Sequence, residues 1–200
     1  MDVFEATEAR RSIRSYRDEP VPRDILDKIL EAARVAPSSS NVQSWKFKVV
    51  TDAATRKQLR DLAFGQKLVE EAPVVIACCL DFEAFGERGK RCLEFMTQGE
   101  VRPSMEILMH SMSEIADEEF DLERVLITGI MNVTIAAANM VLAATALGLG
   151  TCWMRAFDAT AVERLLDIPE GLSVLTLLPL GYPDETPPPR PRKSIEEILI

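Results

Sequence analysis

The chain has 200 residues, 47% hydrophobic and 28% charged, and its 23 basic and 32 acidic side chains leave a formal charge of −9. A chain of this length fits one domain and buries roughly 70% of the surface it exposes when unfolded, so it needs no disulfide or metal to hold a core. The composition excludes a disordered chain, and the net negative charge argues against a general nucleic-acid or anionic-membrane role.

In chain order, Asp2 followed three residues later by Glu5 has the form of a capping box and predicts a short helix to about Arg11. Residues 12–19 read as irregular and basic, punctuated by Pro20 and Pro22, with Pro22 suited to the first turn of a following helix. Over residues 23–36, Ile25, Leu26, Ile29, Leu30, Ala33 and Val35 keep helical spacing, and Asp24–Lys28 is an i,i+4 pair. Pro37-Ser38-Ser39-Ser40-Asn41 ends that helix in a polar loop. Residues 45–51 predict a strand, 55–64 a helix, and 74–80 a short buried strand. Residues 81–120 are charged and rich in methionine (Met96, Met105, Met109, Met112) and predict helix in parts.

Residues 125–154 contain no charged side chain, a length that raises a membrane-spanning reading. The Ala, Thr and Gly content and the two asparagines, Asn132 and Asn139, weigh against it. A long buried helix, central to a core or a dimer interface, is expected instead, stopped at Gly148-Leu149-Gly150. Residues 151–155 then predict a strand, 160–166 a helix, and 172–180 an apolar strand ended by Gly181-Tyr182-Pro183. Pro187-Pro188-Pro189 makes an extended arm that delivers Arg190, Arg192 and Lys193. Helices and strands without regular βαβ alternation point to a single α+β domain over residues 1–200, with the arm beginning near 184.

The chemistry is narrowed first by what is missing. The four cysteines (Cys78, Cys79, Cys92, Cys152) form no C-x-x-C, which is the usage of a reduced compartment, and residues 1–5 do not open a signal peptide; a cytoplasmic location is expected. His110 is the only histidine, and no dinucleotide fingerprint, phosphate loop or zinc spacing is present. An enzyme built from this chain would leave the difficult step to a bound organic cofactor. Arg10-Arg11-Ser12-Ile13-Arg14 has the chemistry of an anion clamp, since guanidinium forks bind phosphate oxygens two at a time; a solvated basic turn at a helix C-terminus is the competing account. Residues 37–43 offer hydroxyls and amides that suit a flat polar heterocycle, or simply terminate a helix.

Taken together, R-R-S-I-R, then V-P, an amphipathic helix, and A-P-S-S-S-N-V-Q-S-W before a strand resemble the N-terminal signature of the nitroreductase family of FMN enzymes. At the far end, Gly148-Leu149-Gly150-Thr151-Cys152-Trp153, Leu180-Gly181-Tyr182-Pro183 and Arg190-Pro191-Arg192-Lys193 are similar to that family's later motifs. The resemblance implies a central mixed or antiparallel sheet flanked by helices, in an intertwined homodimer with FMN at the interface. It implies that Arg10, Arg11, Ser12 and Arg14 hold one side of the flavin. Arg10, Arg190 and Arg192, with Lys193 in support, would converge on the phosphate, and Arg14 would approach the pyrimidine edge. Pro37, Ser38, Ser39 and Asn41 would reach the flavin from the other subunit, while Trp153 and Met154 would line it mostly by backbone. Gln66 is a further expected contact, and residues 81–120 would form a variable lid.

The activity implied is hydride transfer from NADH or NADPH through FMN to a small-molecule acceptor such as a nitroaromatic or quinone, by alternation in one pocket. Reductive dehalogenation, flavin fragmentation and non-catalytic flavin binding are the alternatives within the resemblance. Two departures stand out: Ser44 where many relatives carry proline, and Arg155 where one branch carries glutamate.

Overall fold

The computed structural model describes residues 1–87 and 122–200, together with Lys90, Arg91 and Glu94. The expected lid, with His110, Cys92 and its four methionines, lies outside the described residues; only the start of that stretch is seen, as the end of a strand and a 3₁₀ turn at Glu83–Glu87.

The sheet is organised around β2 (Val74–Asp81), whose residues 74–80 are all buried. An uninterrupted apolar run of this length marks a strand covered on both faces. It pairs antiparallel with β1 (Trp45–Val50) on one side and β4 (Leu172–Gly181) on the other, and the two-residue β3 (Gly150–Thr151) extends β4. The order is β1-β2-β4-β3, and all three ladders are antiparallel.

Alternation along the strands divides the core in two. Val74, Ile76, Cys78 and Leu80, with Leu178 and Leu180 of β4, face α2 (Arg23–Arg34) and the long helix α5 (Leu122–Ala146). Val75, Ala77 and Cys79, with Val174 and Leu177, face α3 (Ala53–Leu62), α4 (Leu68–Glu71) and α6 (Ala159–Leu165). A register shift between Cys78 and Cys79 bends the ladder where the adjacent thiols point to opposite layers. The short helix α1 (Val3–Ala9) packs against α5.

Local signals account for most boundaries. The predicted capping box is present: Glu5 N–H donates to Asp2 Oδ1 at 2.9 Å and Asp2 N–H to Glu5 Oε2 at 2.8 Å. Pro22 stands at the cap of α2, one residue before its first turn. Gly148, at φ +81, turns the chain out of α5 as expected of a helix-ending glycine. The strand expected over 151–155 is shorter: after Thr151 the chain keeps to β4 through isolated bonds, Cys152 N–H to Pro179 C=O at 3.3 Å and the Met154–Leu177 bridge, without a continuous ladder. The single turn α4 went unread, four residues being too few to show a period.

The expectation for α5 needs a larger correction. The helix is not buried all round in this chain: Val133, Ala136, Ala137, Met140 and Ala144 are in the core, whereas Leu126, Ile127, Ile130, Met131 and Ile135 are open to solvent. Uniform apolarity hides this division, since a one-sided pattern cannot be read where both sides are apolar. By length and composition alone Glu123–Ala146 could cross a membrane, but its covered side forms the centre of the sheet-facing core.

Burial raises the Cys79 thiol to about 12, with Glu163 adding to the effect, and holds Cys78 higher still. Neither forms a thiolate at neutral pH in the folded chain. Iodoacetamide at pH 8 is therefore expected to leave both unmodified until denaturant is added, which peptide mass mapping reads directly; labelling of either in the native protein would contradict the packing described.

Candidate functional site

Residues 10–17 have few helical or strand bonds of their own, and distant segments supply them. Ile13 N–H donates to Thr151 C=O at 2.9 Å, Arg17 N–H to Tyr182 C=O at 2.9 Å, and Asp184 N–H to Ser15 C=O at 3.0 Å. The Glu185 carboxylate accepts from two successive amides, Arg14 N–H and, at 3.2 Å, Ser15 N–H. Two glycines allow this segment to lie against the strand ends. A Cβ on Gly150 would sit 2.5 Å from Ile13 Cγ1, and one on Gly181 would sit 2.5 Å from Pro73 Cδ and 3.1 Å from Tyr16 Cδ1. The buried Tyr16 hydroxyl donates to Ile13 C=O at 2.8 Å, and burial pushes its ionisation well above the ordinary phenol value, so it remains a neutral donor.

This stitching sets two sequence-distant basic clusters side by side. Arg10, Arg11, Ser12 and Arg14 line one wall of a cleft of about 550 Å³, and residues 187–189 with Arg190 and Arg192 line the other, alongside Thr7 and Glu8. Five guanidinium groups face a single carboxylate there, in a chain whose net charge is −9. Arg11 donates to Glu8 C=O at 2.6 Å and Arg10 C=O at 2.8 Å, capping α1, while Arg14 donates to Ser12 C=O at 3.3 Å and Arg192 to Pro191 C=O at 3.1 Å. Among the described residues the guanidinium groups of Arg10 and Arg190 have no partner. Lys193 is exposed and does not line the cleft.

A second hollow, about 310 Å³, shares Arg10 and Ser12 with the first and is otherwise formed by Ala138, Val141, Leu142, Thr151 and Trp153. A cationic compartment and a largely apolar one thus meet at two residues. Trp153, 39% exposed, lines the hollow.

The other expected site residues lie elsewhere. Met154 is buried, and its N–H and C=O are both bonded to Leu177, at 3.0 and 3.1 Å. The Gln66 amide donates to Ala63 C=O at 3.0 Å and Ala156 C=O at 2.9 Å, tying the α3–α4 connection to the chain after β3. Pro37, Ser38, Ser39 and Asn41 follow α2 beside the middle of α5 and line neither hollow. Their loop holds Ser40, Asn41 and Gln43 all at φ 50, a left-handed conformation that costs of order 1 kcal/mol per non-glycine residue.

Several participants were not foreseen from sequence. Glu185 acts through contacts about 170 residues away and leaves no local pattern, and Gly150 and Gly181, read in the sequence as ending a helix and a strand, owe their role to contacts more than a hundred residues away. Asn132 left one: with Asn139 it forms a pair seven residues apart, hence on one helix face, in a stretch without charge. Asn139 Nδ2 donates to Ala32 C=O at 3.1 Å, and Asn132 Nδ2 to Ser44 Oγ at 3.1 Å, so the unusual Ser44 has a buried partner.

The nitroreductase family model matches residues 7–182, most of the chain. The chain belongs to the nitroreductase family. It is 35% identical over 201 residues to a Thermus thermophilus protein named NADH dehydrogenase, covering 100% of this chain and 96% of that one. It is 34% identical over 199 residues to a Bacillus subtilis protein named FMN reductase [NAD(P)H], covering 98% and 72%. Among solved structures, a nitroreductase family protein from Streptococcus pneumoniae superposes with a TM-score of 0.80 at 27% identity, over 100% of this chain and 99% of that one. The α+β architecture with an antiparallel sheet flanked by helices is thus shared with family members.

Removing the Glu185 carboxylate should loosen this stitching without disturbing the core. In a Glu185→Ala variant the Arg14 and Ser15 amides are expected to exchange with deuterium about 5- to 10-fold faster, the cost of one lost charge-assisted bond at an exposed site. Unchanged exchange at both amides would show that the bonds contribute nothing in solution.

Proposed function

We propose that this chain is an FMN-dependent NAD(P)H oxidoreductase that reduces small electron acceptors of nitroaromatic or quinone type. The observation that carries this is the pair of adjoining compartments: a cleft lined by five arginines shares Arg10 and Ser12 with a hollow otherwise lined by α5 residues, Thr151 and Trp153. A ligand with a dianionic phosphate at one end and a flat ring system at the other matches both. The printed name of the Bacillus subtilis relative, which carries FMN and NAD(P)H, supports the same cofactors.

In this assignment Arg10 and Arg190, the two of the cleft's guanidinium groups without partners among the described residues, would take the phosphate with Arg192, and Lys193 would add charge from outside the cleft. Ser12 donates at the junction, and Arg11 both caps α1 and contributes to the field of the cleft. Arg14, which lines the cleft, would place a fixed cation toward the ring's pyrimidine edge, where added negative charge is stabilised by a cation. Trp153 and the adjoining α5 residues cover the ring and exclude water. Bound FMN supplies the hydride-carrying chemistry, so no protein acid or base is required of a chain with one histidine.

The second half of the site comes from a second copy. Leu126, Ile127, Ile130, Met131 and Ile135 form an open apolar stripe on α5, and Phe4 of the adjoining α1 is 81% exposed. An apolar surface of this extent marks an interface. Burying it in a homodimer brings Pro37, Ser38, Ser39 and Asn41, which sit beside this stripe, to the neighbouring cofactor; Met154 and Gln66 act from behind the site by fixing the chain around Trp153. The protein acts on small molecules in solution and binds neither membrane nor nucleic acid.

Three outcomes test this. Arg10→Ala and Arg190→Ala should each weaken FMN binding about 10- to 100-fold, as expected for one charge-assisted phosphate bond, with the loss shrinking in high salt; normal flavin occupancy in both would remove the site assignment. Light scattering should give the mass of two chains, and Ile130→Lys with Met131→Lys should give one; a wild-type monomer that binds FMN tightly would refute the shared site. Steady-state rates with NAD(P)H and a quinone should give parallel double-reciprocal lines, whereas intersecting lines would exclude alternation in a single pocket.

A further inference from the structure

Three non-glycine residues within four positions, Ser40, Asn41 and Gln43, hold left-handed backbone, a conformation that L side chains rarely adopt. Within the turn, Asn41 N–H donates to Ser38 C=O at 3.0 Å, Val42 N–H to Ser39 C=O at 3.1 Å and Gln43 N–H to Ser38 Oγ at 3.0 Å, and at its exit Ser44 C=O accepts from Asp81 N–H of β2 at 3.1 Å. One side chain from outside brackets it. Asn132 Oδ1 accepts from Ser39 N–H at 3.1 Å, and Asn132 Nδ2 donates to Ser44 Oγ at 3.1 Å. Asn132 is 3% exposed and Ser44 fully buried, so the bond between them has no water as a substitute, while the bond to Ser39 is partly buried. The planar amide fixes acceptor and donor relative to one another, and thereby fixes the entry and exit of the strained turn. Among the described residues the Ser39 hydroxyl and the Asn41 side-chain amide have no hydrogen-bond partner, so the held turn presents unused polar groups.

We propose that Asn132 is a positioning residue for the cofactor: by anchoring residues 39 and 44 to α5 it sets the left-handed turn whose Ser39 and Asn41 groups meet the flavin of the neighbouring copy. This rests on the FMN assignment made above. It adds a residue that touches no ligand, and it links cofactor affinity to the same helix that carries the open apolar stripe. Met131, beside Asn132 in sequence, belongs to that stripe, so the turn and the copy-to-copy face share one rigid support.

The test compares wild type, Asn132→Leu, Asn132→Asp and Ser44→Ala, each purified at full length, stripped of flavin and titrated with FMN by fluorescence quenching. Visible spectra at saturating FMN and melting of the apoprotein are recorded alongside. Asn132→Leu leaves Ser39 N–H and Ser44 Oγ without a partner; its FMN affinity should fall at least about 10-fold and its bound-flavin band move toward that of free FMN. Asn132→Asp accepts from Ser39 N–H and shares a bond with the Ser44 hydroxyl in either protonation state, and should return to within about 3-fold of wild type. Ser44→Ala removes one bond only and should bind about 3-fold more weakly.

Wild-type affinity and spectrum in Asn132→Leu would overturn the proposal, as would an aspartate variant as weak as the leucine one. If Asn132→Leu does not fold, Ser44→Ala decides: an affinity and spectrum identical to wild type would overturn it equally. Wild-type protein that binds no FMN would remove the cofactor assignment and this proposal with it, a result distinct from FMN bound alike by every variant, which would remove the positioning role alone.

Discussion

The site depends on a backbone exchange between segments that are about 170 residues apart. Residues 12–17 have no ladder of their own; Thr151, Tyr182, Asp184 and the Glu185 carboxylate supply it. Because those bonds are made by the main chain of residues 12–17, they fix where the segment lies without engaging its arginine side chains. The absence of side chains at Gly150 and Gly181 is part of the same arrangement: a single methyl at either position would meet Ile13, or Pro73 and Tyr16.

Electrostatics follow from that geometry. Five guanidinium groups gathered in one cleft repel one another, and a protein of net charge −9 does not assemble them for solubility. The fold tolerates the cluster because three members answer local backbone carbonyls, Arg11 at the end of α1, Arg14 at Ser12 and Arg192 at Pro191, while Arg10 and Arg190 have no partner among the described residues. The adjoining hollow then gives the cleft a direction, basic at the arm and largely apolar at α5.

Much of this was legible in the sequence, for identifiable reasons. The Asp2–Glu5 box, the helical spacing of Leu26 and Ile29, the apolar run of β2 and the stop at Gly148 are local patterns, and each produced the expected element. The arginine clusters were readable as an anion site because opposite ends of an acidic chain carried the same unusual chemistry. What escaped depended on packing. The open side of α5 could not be told from its buried side when both are apolar, and the hold of Asn132 on the residue 39–44 turn requires knowing which loop a helix face meets. Glu185 looked like one acidic residue among 32 until its two backbone partners were seen.

The placement of the arm has a consequence for biosynthesis. A chain emerging from the ribosome exposes its arginine segment well before the residues that complete the ladder, Tyr182 to Glu185. The N-terminal cluster therefore waits without its partners while most of the sheet is synthesised, and the five-arginine cleft cannot assemble until both of its walls have emerged. A product cut short of Tyr182 would keep all four strands while losing one wall of that cleft.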